Sequence, residues 1–271
     1  MDNAEFYLYD LETKFNKINS KEYYLSYSGG KDSHFLLWFI KEYLHNDDVK
    51  VIGINTYMEH PEIRERIYKY SDKVLLPELK PFEIKAKYGI PCFSKWQDDM
   101  ISRWQNGSRF PYLIERVTGQ FANGEPVKGR FKLSKKAKEL LLSNQLHRIS
   151  PKCCTFLKKR PARKFEKESR LKPILGVRGN ESGLRKNQYK SCFTKDMKLT
   201  PLWDLTDELL EQIYKKYEIE IPEVYKYVKR TGCMRLSVSV VISMILKKNL
   251  LYWMIHKKDL YVSTLKKAMQ F

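Results

Sequence analysis

Tyr23-Tyr24-Leu25-Ser26-Tyr27-Ser28-Gly29-Gly30-Lys31-Asp32-Ser33 runs directly into His34-Phe35-Leu36-Leu37-Trp38-Phe39-Ile40. An aromatic-rich apolar run of strand length meets two glycines, a lysine and two serines, and a long apolar helix then begins. An oxyanion-binding turn at a helix N-terminus needs this order. Glycine lets the backbone approach a ligand closely and adopt positive φ without a Cβ penalty. Successive N–H groups and the helix dipole then face negative charge. Lys31 adds a point charge, and Ser28 and Ser33 add hydroxyls. The stretch is not the GxxxxGK[ST] phosphate loop, because Lys31 follows the glycine pair with no four-residue spacer.

A βα rhythm surrounds this turn. The first helix is expected over about Ser33–Leu44, a second strand at Val49–Asn55, and a helix from near Glu62. Lys73–Leu76 and Lys172–Val177 read as a third and a fourth strand. Strands alternating with helices predict an α/β fold, a mainly parallel sheet with helices on both faces. Ligands in such sheets sit at the carboxyl ends of strands, where Ser28–Ser33, Asn55–Thr56 and Gly176–Arg185 all fall. Residues 94–151 read as a helical insertion, so residues 1–233 are expected to form one domain around the oxyanion-binding turn and 234–271 a basic tail.

The 271 residues include 42% hydrophobic side chains, enough for a packed core. No apolar run approaches the ~18 residues of a membrane span, and Met1-Asp2-Asn3-Ala4-Glu5 lacks a signal peptide's basic-then-apolar order. A cytoplasmic chain is expected, with its five cysteines reduced or ligating metal. The net charge of +19 is what a polyanion-binding surface requires, although lysines spread through the chain would give the same total. The sharpest local cluster is Lys152, Lys158, Lys159, Arg160, Arg163, Lys164, Lys167, Arg170 and Lys172. Such a wall suits a nucleotide phosphate or a nucleic-acid backbone.

The Ser28–Ser33 hexapeptide resembles the SGGxDS pyrophosphate loop of the adenine nucleotide α-hydrolase superfamily, whose members include ATP pyrophosphatases and phosphoadenosine phosphosulfate (PAPS) reductases. Asn55–Ile63 is similar to the strand-2 segment that helps seat adenosine in PAPS-reductase-like proteins. Gly176-Val177-Arg178-Gly179-Asn180-Glu181-Ser182-Gly183-Leu184-Arg185 is similar to their G-x-R-x-x-E-S-x-x-R segment, and Thr200–Glu208 to a later one. The resemblance implies an adenine nucleotide (ATP or a sulfonucleotide) and Mg²⁺. It implies catalytic roles for Lys31, Asp32, Arg178 and Arg185, and nucleotide contacts from Ser28, Gly29, Gly30, Ser33, Asn55, Thr56, Gly176, Glu181 and Ser182.

Cys153, Cys154, Cys192 and Cys233 make a four-thiolate set of the kind that holds iron–sulfur clusters. Relatives with a Cys-Cys pair and an R-T-G-C-M-x-C segment resemble cluster binders, but here Arg235-Leu236 stand where the last cysteine should be. A cluster, a zinc site and no metal all stay open. Cys92 reads as a small buried hydrophobe. Met234–Phe271 departs from the family altogether, with seven Lys/Arg against one acid. It reads as a divergent or frameshifted end; if no alternative frame of the coding DNA restores a cysteine and an acidic helix, the frameshift idea fails.

Three functions follow. The first is cleavage of ATP to AMP and pyrophosphate, for adenylation and sulfur transfer to DNA or tRNA. The second is a sulfonucleotide reductase or sulfotransferase. The resemblance implies a nucleophilic C-terminal cysteine for that chemistry, and Leu265–Phe271 contains none. The third is a non-catalytic nucleotide-binding module.

Overall fold

The computed structural model describes residues 2–129, 132–179, 190–228 and 231. Along these residues run helices α1 (Asn3–Phe15), α2 (Lys31–Trp38), α3 (Pro61–Tyr70), α4 (Pro81–Tyr88), α5 (Lys95–Gln105), α6 (Pro111–Thr118), α7 (Lys135–Leu142), α8 (Arg160–Ser169) and α9 (Asp207–Lys216). Strands β1 (Tyr23–Tyr27), β2 (Lys50–Ile54), β3 (Lys73–Leu75) and β4 (Lys172–Leu175) form one sheet in the order β3-β2-β1-β4, with every pairing parallel. The backbone divides into two compact units, one built of residues 2–80 with 154–231 and one of residues 81–153.

The first unit holds the sheet, and the alternation along β1 shows how its two faces are covered. Tyr23, Leu25 and Tyr27 point into a core with Leu8, Leu11 and Phe15 of α1, Phe35 and Leu36 of α2, and Leu210 and Ile213 of α9. Tyr24 points the other way, to Phe165 of α8, edge-on with ring centroids 5.1 Å apart. A strand buried on both faces has no polar side to offer water, and its apolar run is nearly continuous for that reason. The α/β fold with helices on both faces is therefore present.

Element ends differ from the sequence expectations for local reasons. Helix α2 begins at Lys31, because Gly30 is already its extended N-cap. Its continuation, Phe39–Tyr43, is π-helical and closes with the Leu44 N–H donating to the Phe39 carbonyl. Strand β4 stops at Leu175, since the Val177 N–H turns back to the Leu175 carbonyl at 2.9 Å. Thr206 caps α9 by accepting from the Leu209 N–H at 3.2 Å.

The second unit is helical, with α5, α6 and α7 packed around Met100, Ile101, Leu113, Val117, Leu133, Ala137, Leu141 and Ile149. The Asp98 carboxylate is buried there and accepts from the Cys92 and Phe93 N–H groups at 3.1 and 2.9 Å. Cys92 is half-buried against this core rather than fully enclosed.

One buried group gives a pH signature. His34 on α2 is 6% exposed, with its Nδ1 3.1 Å from the Tyr27 hydroxyl. Burial and the nearby Arg66 guanidinium push its pKa down from 6.5 to about 4. The unfolded chain thus takes up a proton near pH 6.5 that the folded chain refuses until near pH 4. Stability falls as pH drops through that window, by about 3 kcal/mol. Urea unfolding at pH 7 and pH 4.5 should show this loss, and His34→Gln should lessen it.

Candidate functional site

The carboxyl ends of β1 and β4 and the first turn of α2 build the site. After β1 the chain turns at Ser28-Gly29-Gly30 with Gly29 at φ +74°, where a Cβ would sit 2.7 Å from the Ile63 carbonyl oxygen. Only glycine meets both demands. Gly176 answers a similar constraint beyond β4. A Cβ there would lie 3.0 Å from the Ser33 nitrogen, so its absence lets β4 end against the first turn of α2.

The serines lock the turn. The Ser33 hydroxyl donates to the Gly30 carbonyl at 3.0 Å and accepts from the Ser28 N–H at 3.2 Å. It also lies 3.0 Å from the Ser28 hydroxyl. Tyr214 of α9 donates to the Lys31 carbonyl at 2.6 Å, and the Tyr225 hydroxyl accepts from the Lys31 N–H at 3.0 Å.

A charge cluster rests on this frame. Arg178, just past β4, is 3% exposed. Its Nε lies 2.8 Å from Asp32 Oδ1, and its Nη2 lies 2.8 Å from Asp207 Oδ1. Lys31 Nζ stands 3.7 Å from the same Asp207 oxygen. Burial pushes the Asp32 carboxyl up, with Arg178 and Lys31 pulling the other way. The Arg178 hydrogen bond holds exposed Asp207 below the usual carboxylate range. The distinctive feature is the unspent donor: among the described residues, the buried Arg178 Nη1 has no hydrogen-bond partner, and the Asp32 contact at Nε is an ion pair without good hydrogen-bond geometry. A buried guanidinium left partly unsatisfied is costly unless something else completes it.

Lys31, Asp32, Arg178, Ser28, Gly29, Gly30, Ser33 and Gly176 thus come together. Asn55 and Thr56 lie past the end of β2 and are buried. Asn55 Nδ2 donates to the Tyr68 hydroxyl at 2.9 Å and its Oδ1 accepts from the Tyr57 N–H at 2.8 Å. The Thr56 N–H donates to Glu59 at 3.0 Å, and its hydroxyl donates to the same carboxylate. Both side chains shape the loop locally. Arg185, Glu181, Ser182 and Cys233 lie outside the described residues.

The remaining cysteines are placed as follows. Cys153 is buried, Cys154 is half-buried, and Cys192 is half-buried against the core of the sheet unit. Burial pushes the Cys192 thiol up, away from the thiolate that metals bind. Among the described residues, no group of three or more His, Cys, Asp or Glu side chains is placed to hold a metal ion. Mg²⁺ asks for less, since one or two carboxylates plus substrate phosphates suffice. Asp32 and Asp207 are the carboxylates at the turn, each with one oxygen ion-paired to Arg178.

Two participants escaped the sequence reading. Asp207 lies inside the Thr200–Glu208 segment without being singled out there, and Tyr225 carries no signal at all.

No protein-family model matches the chain, and no curated protein matches it. Among solved structures, PAPS reductase from Candida auris, in a phosphate complex, is similar at 14% identity, over 84% of this chain and 87% of that one. The TM-score is 0.47, too low to carry an argument about this chain's site or activity. Among the described residues, no helix is long and apolar enough to cross a membrane.

Proposed function

We propose that the Ser28–Ser33 turn, with Lys31 and Arg178, binds the phosphates of an adenine nucleotide and supports cleavage at the α-phosphate, ATP giving AMP and pyrophosphate. The observation that carries this reading is the buried Arg178, whose Nη1 has no hydrogen-bond partner among the described residues, set beside a glycine turn that opens α2. An anion with several oxygens would satisfy that donor and the charge of Lys31 together. An acceptor oxygen attacks the α-phosphorus, the bond from that phosphorus to its bridging oxygen breaks, and pyrophosphate leaves. Lys31 and Arg178 neutralise the leaving group, and pre-positioned charge of this kind supplies most of the catalysis in such transfers. Mg²⁺ held by Asp32 and Asp207 would add charge neutralisation at the pyrophosphate. A sulfur nucleophile then displaces AMP from the activated acceptor.

ATP binding tested by equilibrium dialysis should be competed away by pyrophosphate. Competition by adenosine but not by pyrophosphate would overturn the phosphate assignment.

Nucleic acid as the acceptor is supported by α8 and the turn before it. Lys159, Arg160, Arg163, Lys164, Lys167 and Arg170 are exposed there, and none pairs with a carboxylate among the described residues. The nearby acid Glu166 is turned inward, accepting from the Tyr24 hydroxyl at 3.2 Å. The ten residues of α8 span about 15 Å, the axial rise of about four base pairs of duplex. Changing Arg163 and Lys167 to Glu should weaken duplex DNA or tRNA binding at least about tenfold at low salt. The slope of log Kd against log salt should fall by about 0.9 per lost phosphate contact. Fluorescence anisotropy across a salt series measures both, and an unchanged slope would remove α8 from the interface.

A further inference from the structure

The anion seat of the loop already has an occupant. Lys31 is the first residue of α2, so its N–H has no partner within the helix and is one of the donors that a bound anion would take. The Tyr225 hydroxyl takes it instead, at 3.0 Å. The same oxygen lies 2.9 Å from where a Gly30 Cβ would be, and Thr231 Oγ1 lies 3.2 Å from that point. The two hydroxyls are 3.0 Å apart and hydrogen-bonded. Two neutral hydroxyls therefore fill the space over the glycine that the turn keeps open.

The backbone that presents them is anchored. Tyr225 belongs to the 3₁₀ turn Glu223–Lys226, and the Glu62 carboxylate at the start of α3 accepts from the Glu223 and Val224 N–H groups. Tyr225 packs against Ile63, Ile67 and Val224, so opening the seat requires its phenol to rotate off that cluster. A neutral hydroxyl is also the weaker acceptor: hydrogen bonds to an anionic oxygen are roughly twice as strong.

We propose that the Tyr225 hydroxyl, itself hydrogen-bonded to Thr231, is a built-in competitor for the anion seat, holding the Lys31 amide in the empty protein and giving it up when a phosphate group binds. The inference rests on the phosphate-binding reading of the loop. It adds that apparent affinity is set by an internal exchange, one hydrogen bond being surrendered for each anion bound.

Titration calorimetry with inorganic pyrophosphate, paired with urea unfolding of the ligand-free protein, tests it. Tyr225→Phe keeps the ring and deletes the competing oxygen. It is expected to bind pyrophosphate about threefold to tenfold more tightly, the worth of one surrendered hydrogen bond, while its ligand-free form unfolds at lower urea. A hydroxyl that only braced the fold would lower stability without tightening binding. Thr231→Val removes the phenol's partner with Tyr225 in place, and it is expected to tighten binding by a smaller factor. Equal or weaker pyrophosphate binding by both variants, against a wild type that binds, overturns this inference alone. Failure of the wild type and both variants to bind pyrophosphate overturns the phosphate-binding reading beneath it.

Discussion

Arg178→Leu should abolish nucleotide binding and destabilise the fold by about 3–5 kcal/mol near neutral pH, the usual cost of removing one partner of a buried ion pair. The cause is Asp32, whose side chain is only 18% exposed and whose nearest cation is Arg178 Nε at 2.8 Å. Without the guanidinium, Asp32 must either hold a poorly solvated charge or take up a proton. Burial already pushes its carboxyl up, and the loss of Arg178 pushes it further. The stability deficit should therefore shrink as pH falls and the carboxyl protonates. Asp32→Asn in the same background should recover much of the stability but none of the binding, because the anion's donor is still missing. Urea unfolding and calorimetry on the single and double variants separate the two roles. Recovery of binding by the double variant would make Arg178 a purely structural residue.

Lys31→Ala should leave the fold intact and eliminate nucleotide-dependent turnover. Its Nζ stands 3.7 Å from an exposed carboxylate, a contact worth at most about 1 kcal/mol. Its other contact is the Tyr225 ring, 5.9 Å from Nζ to the centroid, and the site around it is rich in backbone donors. Removing one positioned donor from a developing negative charge costs on the order of 10²- to 10³-fold in kcat. The expected pattern is a near-native urea midpoint with turnover reduced by at least that factor. Unchanged turnover would sink the loop assignment.

The legible part of this site is contiguous in sequence. β1, the glycine turn and the start of α2 lie within a dozen residues, so residue type and order were enough to place the turn and its lysine, whereas the serines, expected to offer hydroxyls to an anion, hydrogen-bond within the turn. Arg178 came from a second short segment, and its burial against Asp32 follows from β4 pairing with β1 in parallel. Asp207 and Tyr225 were not legible, because the fold brings them from far along the chain. Tyr225 is 194 positions from the amide it occupies. Nothing local distinguishes that tyrosine from the seventeen others. Asn55 and Thr56, whose types resemble a ligand-binding segment, hydrogen-bond in this structure to Tyr68, Glu59 and the loop backbone. Hydrogen-bonding residues at a strand end serve loop geometry as readily as ligands, and sequence cannot separate the two.

The most direct test of α-phosphate chemistry is chromatography of the products after anaerobically purified protein is incubated with Mg-ATP, with and without DNA or tRNA. AMP and pyrophosphate in equal amounts, increased by nucleic acid and absent with Lys31→Ala, is the predicted result. ADP and orthophosphate, or ATP returned unchanged under every condition, would contradict it.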